Sequence, residues 1–133
     1  MKIQEVAKKY NLTSDTLRYY EKIGLIDPVA KDRSGHRDYS EADLYRIEFL
    51  KRMRLAGCSI EALQTFVRLY DEGPQTIPQR QALLRNELER LKAQIEQLNT
   101  VKDYLENQVA YYEDNMIVRD SHARKLAQKG QET

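Results

Sequence analysis

Cysteine is nearly absent from this 133-residue sequence: Cys58 is the only one. One thiol cannot build an intrachain disulfide framework, and such a chain fits a reducing compartment. Histidine is scarce as well. Two His, one Cys and no Gly-rich phosphate loop leave no constellation for nucleophilic, metal-assisted or acid–base chemistry, so the chain does not read as an enzyme and requires no cofactor and no metal. No apolar run approaches the roughly 18 residues of a membrane span. The start, Met-Lys-Ile-Gln-Glu-Val, leads straight into an amphipathic helix, so no signal peptide is expected and a soluble, cytoplasmic protein is. An excess of one charge sign is also missing. The formal net charge is only +1, which rules out a large basic field. The charge is unevenly spread, however: residues 1–58 hold 12 Lys and Arg against 9 Asp and Glu, and residues 59–133 hold 10 against 12. A weakly basic N-terminal half predicts weak non-specific attachment to nucleic acid, with base readout and dimerisation supplying the rest.

What is present is charge in general. At 32% charged residues and a mean hydropathy of −0.77, the composition favours long solvated helices over a large core. The length suits one small domain plus an extension. Ile3, Val6, Ala7 and Tyr10 recur at i, i+3, i+4 and i+7 and predict a one-sided helix. Asn11-Leu12 gives a tight turn, and Thr13 or Ser14 caps a second helix that Gly24 stops. Leu17 and Tyr20 face inward on it, while Thr16, Arg18, Tyr19 and Lys22 face out. Two short helices joined this closely make a helix-turn-helix, whose second helix enters the major groove. Thr13, Ser14, Thr16, Arg18, Tyr19 and Lys22 are the candidate DNA-binding residues on it. A solvated polar face on a small helical domain is the plainer alternative.

After Pro28, the stretch from Val29 to Tyr39 is short, charged and turn-rich, with Asp32-Arg33-Ser34-Gly35 as the reversal. Two brief strands about that turn would make a wing, with Arg33, His36 and Arg37 near its tip as phosphate or minor-groove contacts. Tyr39 adds an O–H while its ring packs on the helix, and the Arg37 fork is the firmest candidate because it bonds phosphate in a fixed geometry. Ser40 with Asp43 opens a third helix as a capping box. Leu44, Ile47 and Leu50, flanked by Tyr45, Phe49 and Met53, give it a wide stripe that is expected to be buried. Lys51, Arg52 and Arg54 form a basic edge that either meets a phosphate or is solvated. Gly57 stops this helix, and Ser59 caps a fourth whose inner side carries Ile60, Leu63, Phe66, Val67 and Tyr70. Glu72-Gly73-Pro74, followed by Pro78, is the clearest boundary.

Beyond it the period becomes a heptad. Leu84, Leu88, Leu91, Ile95, Leu98, Lys102, Leu105, Val109, Tyr112 and Met116 alternate steps of four and three. That regularity marks a coiled coil, with Lys102 as a polar seam position that can fix register. No second long helix exists within the sequence, so the stripe implies a homodimer. After Val118 it fades into a polar end that is expected to be frayed or disordered.

The blocks Thr16-Leu17-Arg18-Tyr19-Tyr20-Glu21, Gly24-Leu25-Ile26 with Pro28, and Gly35-His36-Arg37-Asp38-Tyr39-Ser40 together resemble the N-terminal signature of the MerR family of transcription regulators. His36 stands where many members carry Tyr. The resemblance implies an all-α fold with a small β-wing: a winged helix-turn-helix over residues 1–72, a linker at 73–78, an antiparallel coiled-coil dimerisation helix over 77–118 and a tail at 119–133. It also implies a double-stranded pseudo-palindromic promoter site that is distorted on activation, with RNA polymerase as a partner there. Leu50-Lys51 and Met53-Arg54-Leu55-Ala56-Gly57 look most similar to the small aldehyde- and thiol-stress branch. Members of that branch carry a reactive Cys where this chain has Arg52. Cys58 is then either a sensing thiol, activated by a helix N-terminus and Arg54, or a small buried wedge. Metal sensors of the family carry cysteines near the end of the dimerisation helix, and none lies beyond position 58 here. Drug-binding members carry a further ligand domain, for which the sequence is too short. Two other readings stand beside the stress regulator: a MerR-type regulator with a non-covalent small-molecule effector, and a helical dimeric adaptor for a protein partner.

Overall fold

The computed structural model describes the backbone of residues 1–132, and the side chains of these except 115–119 and 131–132. The seam side chain expected at Met116 therefore falls outside the described residues, as does Thr133. Among the described residues five α-helices follow one another: α1 (Ile3–Tyr10), α2 (Ser14–Lys22), α3 (Glu41–Leu55), α4 (Ile60–Glu72) and α5 (Ile77–Glu132). Two compact units divide the chain, the first Met1–Leu91 and the second from Lys92 onward.

The helix starts are set locally. Thr13 caps α2 by accepting from the Thr16 N–H at 3.0 Å. Ser40 and Asp43 form the reciprocal capping box of α3, at 3.1 and 2.9 Å, and Ser59 caps α4 through the Ala62 N–H at 3.1 Å. Each such cap contributes about 1 kcal/mol. The turn between α1 and α2 passes through Asn11 at φ 54°, a left-handed conformation that Asn tolerates better than most residues. Val6, Leu17, Leu25, Ile26, Ile47, Leu50, Cys58 and Leu63 are fully buried, and Tyr10, Tyr20, Val29, Tyr39 and Val67 close the core around them. Burial of each large aliphatic chain stabilises the unit by roughly 1.5–3 kcal/mol.

Several elements depart from the sequence expectation. The wing has no continuous strands. It is held by one antiparallel bridge across its ends, Lys31–Arg37, and another that ties Asp38 to Lys2. The reason is that the Asp32 carboxylate takes the Ser34 and His36 N–H groups, at 2.9 and 3.0 Å, so the turn consumes the backbone groups that a ladder would use. The apolar stripe of α3 is narrower than its sequence suggests: Tyr45 stands 79% exposed, and Tyr70 on α4 is also exposed. The expected domain boundary at residue 72 is not where the compact unit ends. α4 passes through Gly73 and a 3-10 turn at Pro74–Thr76 into α5, and the start of α5 belongs to the first unit, with its side chains bonded to the residues before it. Arg80 donates to the Thr76 hydroxyl at 3.1 Å, and Arg90 to the Ala56 carbonyl at 2.9 Å. Gly57 makes the second of these approaches possible. At φ +87° it ends α3 in a left-handed turn, and a Cβ there would stand 3.0 Å from Arg90 Nη1.

The polar end also differs. Residues 119–132, expected to be frayed or disordered, continue α5, with Arg124 paired to Asp120 at 2.9 Å across one turn.

Candidate nucleic-acid interface

The second helix owes its position to its two ends. Its inward residues Leu17 and Tyr20 are buried, and past its C-terminus the carbonyls of Ile23 and Leu25 are met by side chains from other helices. Gln64 on α4 donates to the first at 3.2 Å and Arg46 on α3 to the second, also at 3.2 Å. Orphan carbonyls at a helix end are otherwise left to water, so these two bonds hold α2 by the end opposite its outward-facing first turn.

That first turn carries hydroxyls and charge. Thr13 and Thr16 Oγ1 atoms lie 2.8 Å apart, so Thr13 is committed to the cap and Thr16 retains spare hydrogen-bonding capacity. Ser14, the alternative cap, is the first residue of the helix. Arg18 is tethered to Asp15 at 3.1 Å by an exposed pair, of the kind worth ~0–1 kcal/mol, and is thus readily exchanged for a phosphate. Tyr19 is 48% exposed, with its ring tilted 47° to that of Tyr20. Lys22 is exposed in the last turn.

The wing meets this face. A cleft of about 370 Å³ is lined by Lys2, Ile3, Gln4, Arg18, His36 and Arg37, with Gly35 at its edge. Three of the residues singled out from sequence, on two separate elements, therefore share one concavity. Arg37, the firmest of them, is not free: its Nε donates to Glu21 Oε1 at 2.9 Å, in a pair only partly exposed. That bond spends one edge of the fork and locks the wing to α2, leaving the terminal nitrogens as the donors Arg37 can present. His36 and Arg33 are exposed, with His36 Nδ1 3.9 Å from Asp32. Tyr39 departs from its expected role. Its ring is buried at 3% exposure, and its hydroxyl is enclosed with no hydrogen-bond partner among the described residues. Burial raises its pKa, and the O–H does not reach the surface.

Three contributors were missed in the sequence. Lys2 lines the cleft, and its Nζ donates to Asp32 at 2.6 Å. The Met1 ammonium pairs with Asp38 at 2.9 Å. The Lys2 bond and the backbone N–H of His36 hold the Asp32 carboxyl at about 2, below the ordinary 3.8. Glu21 was the other omission. Partners 16 and 30 residues apart leave no periodic signal, and nothing in the sequence marks these pairs.

Cys58 lies away from this face. Its side chain is fully buried, and burial, with the Glu87 carboxylate second, pushes the thiol pKa up. Arg90 and Arg54 pull the other way, as expected of Arg54, but are outweighed; the Arg54 Nη1 also donates to the Cys58 carbonyl at 2.6 Å. Arg52, at the position where the stress branch carries its Cys, is exposed and paired with Glu48 at 2.9 Å.

On α5 the heptad positions Leu84, Leu88, Ile95, Leu98, Leu105, Val109 and Tyr112 are all exposed, and Leu91 is partly so.

Comparison with known proteins agrees with this geometry. The model of the MerR HTH family regulatory proteins matches residues 1–69, and that described as MerR, DNA binding, matches residues 44–108. The HTH-type transcriptional regulator AdhR of Bacillus subtilis is 52% identical over 91 residues, which span 68% of this chain and 65% of AdhR. A crystal structure of a MerR family regulator from Listeria monocytogenes superposes with a TM-score of 0.80 at 34% identity, covering 97% of this chain and 98% of that one. HiNmlR, a MerR family regulator lacking the sensor domain and crystallised with promoter DNA, superposes with a TM-score of 0.76 at 30% identity, covering 85% of this chain and 90% of HiNmlR.

Proposed function

Because the chain belongs to the MerR family of helix-turn-helix transcription regulators, and is therefore a DNA-binding regulator, we propose that it acts as a cytoplasmic homodimer on a pseudo-palindromic promoter, in contact with RNA polymerase there. The observation that carries this reading is the meeting of Arg18 on α2 with His36 and Arg37 of the wing in one cleft. Thr16, Arg18 and Tyr19 read base edges and adjacent phosphates, Lys22 and Arg33 add phosphate contacts, and Arg37 positions the wing through Glu21 while offering its terminal nitrogens to the backbone. Two copies are joined by the seam of α5, from Leu84 to Tyr112, whose positions are exposed, Leu91 in part. Two α2 helices related by that dimer face successive turns of the duplex. The likeness to HiNmlR, a regulator crystallised on promoter DNA, supports this reading.

For the signal, the likeness to AdhR and to the stress-responsive branch supports a response to aldehydes, electrophiles or redox stress. A specific observation favours a second reading, a non-covalent small-molecule effector. The only thiol is fully buried with its pKa raised, whereas a sensing cysteine needs exposure and a lowered pKa.

The test is binding to the DNA upstream of the protein's own gene at several salt concentrations. Affinity should fall steeply with salt, and Arg18→Ala should weaken the cognate site by ~10- to 100-fold. Wild-type affinity in that variant would remove Arg18 from the interface. Absence of specific binding at any salt would favour the adaptor.

A further inference from the structure

The first unit holds a second concavity, away from the wing, with a different chemistry. It measures about 490 Å³, is bounded by α3, the end of α4 and the start of α5, and opens beside the residues that follow α2. Its apolar wall is Ile26 with Phe49 and Phe66, whose rings stack at 4.9 Å between centroids. Tyr70 completes it, more than half exposed, with two guanidinium groups over its ring, Arg46 at 5.2 Å and Arg80 at 5.1 Å. Aromatic walls with a few polar groups, at this volume, are the composition of a small-molecule site.

The charges decide the ligand. Arg80 bonds only neutral oxygens, the Thr76 hydroxyl and the Gly73 carbonyl, and no carboxylate pairs with it among the described residues. Arg46 reaches Asp71 only at 4.0 Å. Of the two acids in the lining, Asp43 is committed to the cap of α3, and Asp27 is exposed. We propose that this cavity is an effector site for a small planar aromatic carboxylate, its ring against Phe49, Phe66 and Tyr70 and its carboxylate on Arg80. Arg46 connects the site to DNA: the same guanidinium that borders the cavity donates to the Leu25 carbonyl behind α2. A ligand that draws Arg46 inward changes the hold on the end of that helix. The regulatory role, though not the binding itself, rests on the promoter-binding function proposed above.

The probe is 2-naphthoate, titrated into the full-length protein without DNA and followed by calorimetry, with 2-naphthamide and 2-naphthylmethylamine as neutral and cationic counterparts. The carboxylate should bind in the high-micromolar range expected for a fragment of that size. Arg80→Gln should weaken it about tenfold, the effect of losing one charge-assisted bond. Arg85→Gln, the same change on an exposed α5 residue outside the cavity, should leave it unaltered, with circular dichroism confirming that both variants fold. Absence of carboxylate binding, equal binding of the amide, or equal weakening by the two substitutions would overturn the site. A separate titration of upstream DNA with and without saturating naphthoate reads the coupling. A shift of about threefold or more in DNA affinity supports the effector role. Unchanged affinity with binding intact overturns that role alone.

Discussion

At the scale of single residues, two titratable groups carry the most information. Asp32 organises the wing by accepting from Lys2 and from the Ser34 and His36 N–H groups, and its carboxyl is held at about 2, below the ordinary 3.8. A depressed acid contributes stability that is complete above the unfolded pKa and is lost as pH falls through the folded one. The Ser34 and His36 amides should therefore exchange slowly down to about pH 4 and lose protection between there and pH 2, as read by hydrogen exchange on those two amides. Asp32→Ala, which removes the acceptor, should expose them at neutral pH; unchanged protection in that variant would mean that the bridges alone hold the wing. Cys58 is the opposite case. Packed at zero exposure with its thiol pKa pushed up, it should react with a disulfide reagent at least ~100-fold more slowly in the native protein than in urea, because reaction must await local opening. A native rate equal to that of an exposed thiol would restore it as a sensor. In the sequence, the nearby Arg54 suggested activation. What proximity along the chain could not convey is that burial, and Glu87 29 positions beyond Cys58, outweigh that cation.

At the scale of elements, much was legible because the signals are local. Ser40 and Ser59 cap the helices they were expected to cap, Thr13 is the one of its pair with Ser14 that caps α2, and Leu17 and Tyr20 are buried as the 3.6-residue period required. Local signals fail where tertiary partners intervene. Tyr45 and Tyr70 look like core by spacing but stand exposed, Tyr70 beneath two guanidinium groups from α3 and α5. The joint between α3 and α4 shows both kinds of information at once. Gly57 was readable as a stop, but not as the point where Arg90 closes on the chain. Gly57→Ala would have to hold a side chain at φ +87° and displace the Arg90 guanidinium from 3.0 Å. The change should lower stability by about 1–2 kcal/mol in denaturant unfolding. If Arg90→Ala is already present, the cost should shrink toward the backbone part alone, since the two changes share one contact. An additive double variant would separate the glycine from that arginine.

At the scale of the whole molecule, the question is what covers the heptad seam of α5. Leu98, Leu105 and Val109, in the second unit, are each more than half exposed, and the first unit has a core of its own that does not need them. Two copies pairing along this seam would bury each such side chain in both, at roughly 1.5–3 kcal/mol per chain. A charge placed there forfeits that twice and must also be desolvated. Leu105→Glu should therefore weaken dimerisation by about 3–6 kcal/mol, a factor of ~10²–10⁴, measured by sedimentation equilibrium. The first unit should stay folded, because Leu105 lies outside it, as read by unchanged hydrogen exchange of the amides of α1 to α4. DNA binding should fall with the dimer, since a single α2 and wing retain only one half-site of contacts and the small net charge of the chain offers little non-specific attachment in compensation. The same substitution therefore tests whether promoter recognition depends on the dimer. Loss of dimer and of DNA affinity together ties promoter recognition to the α5 seam, whereas an intact dimer would place the interface elsewhere on the helix.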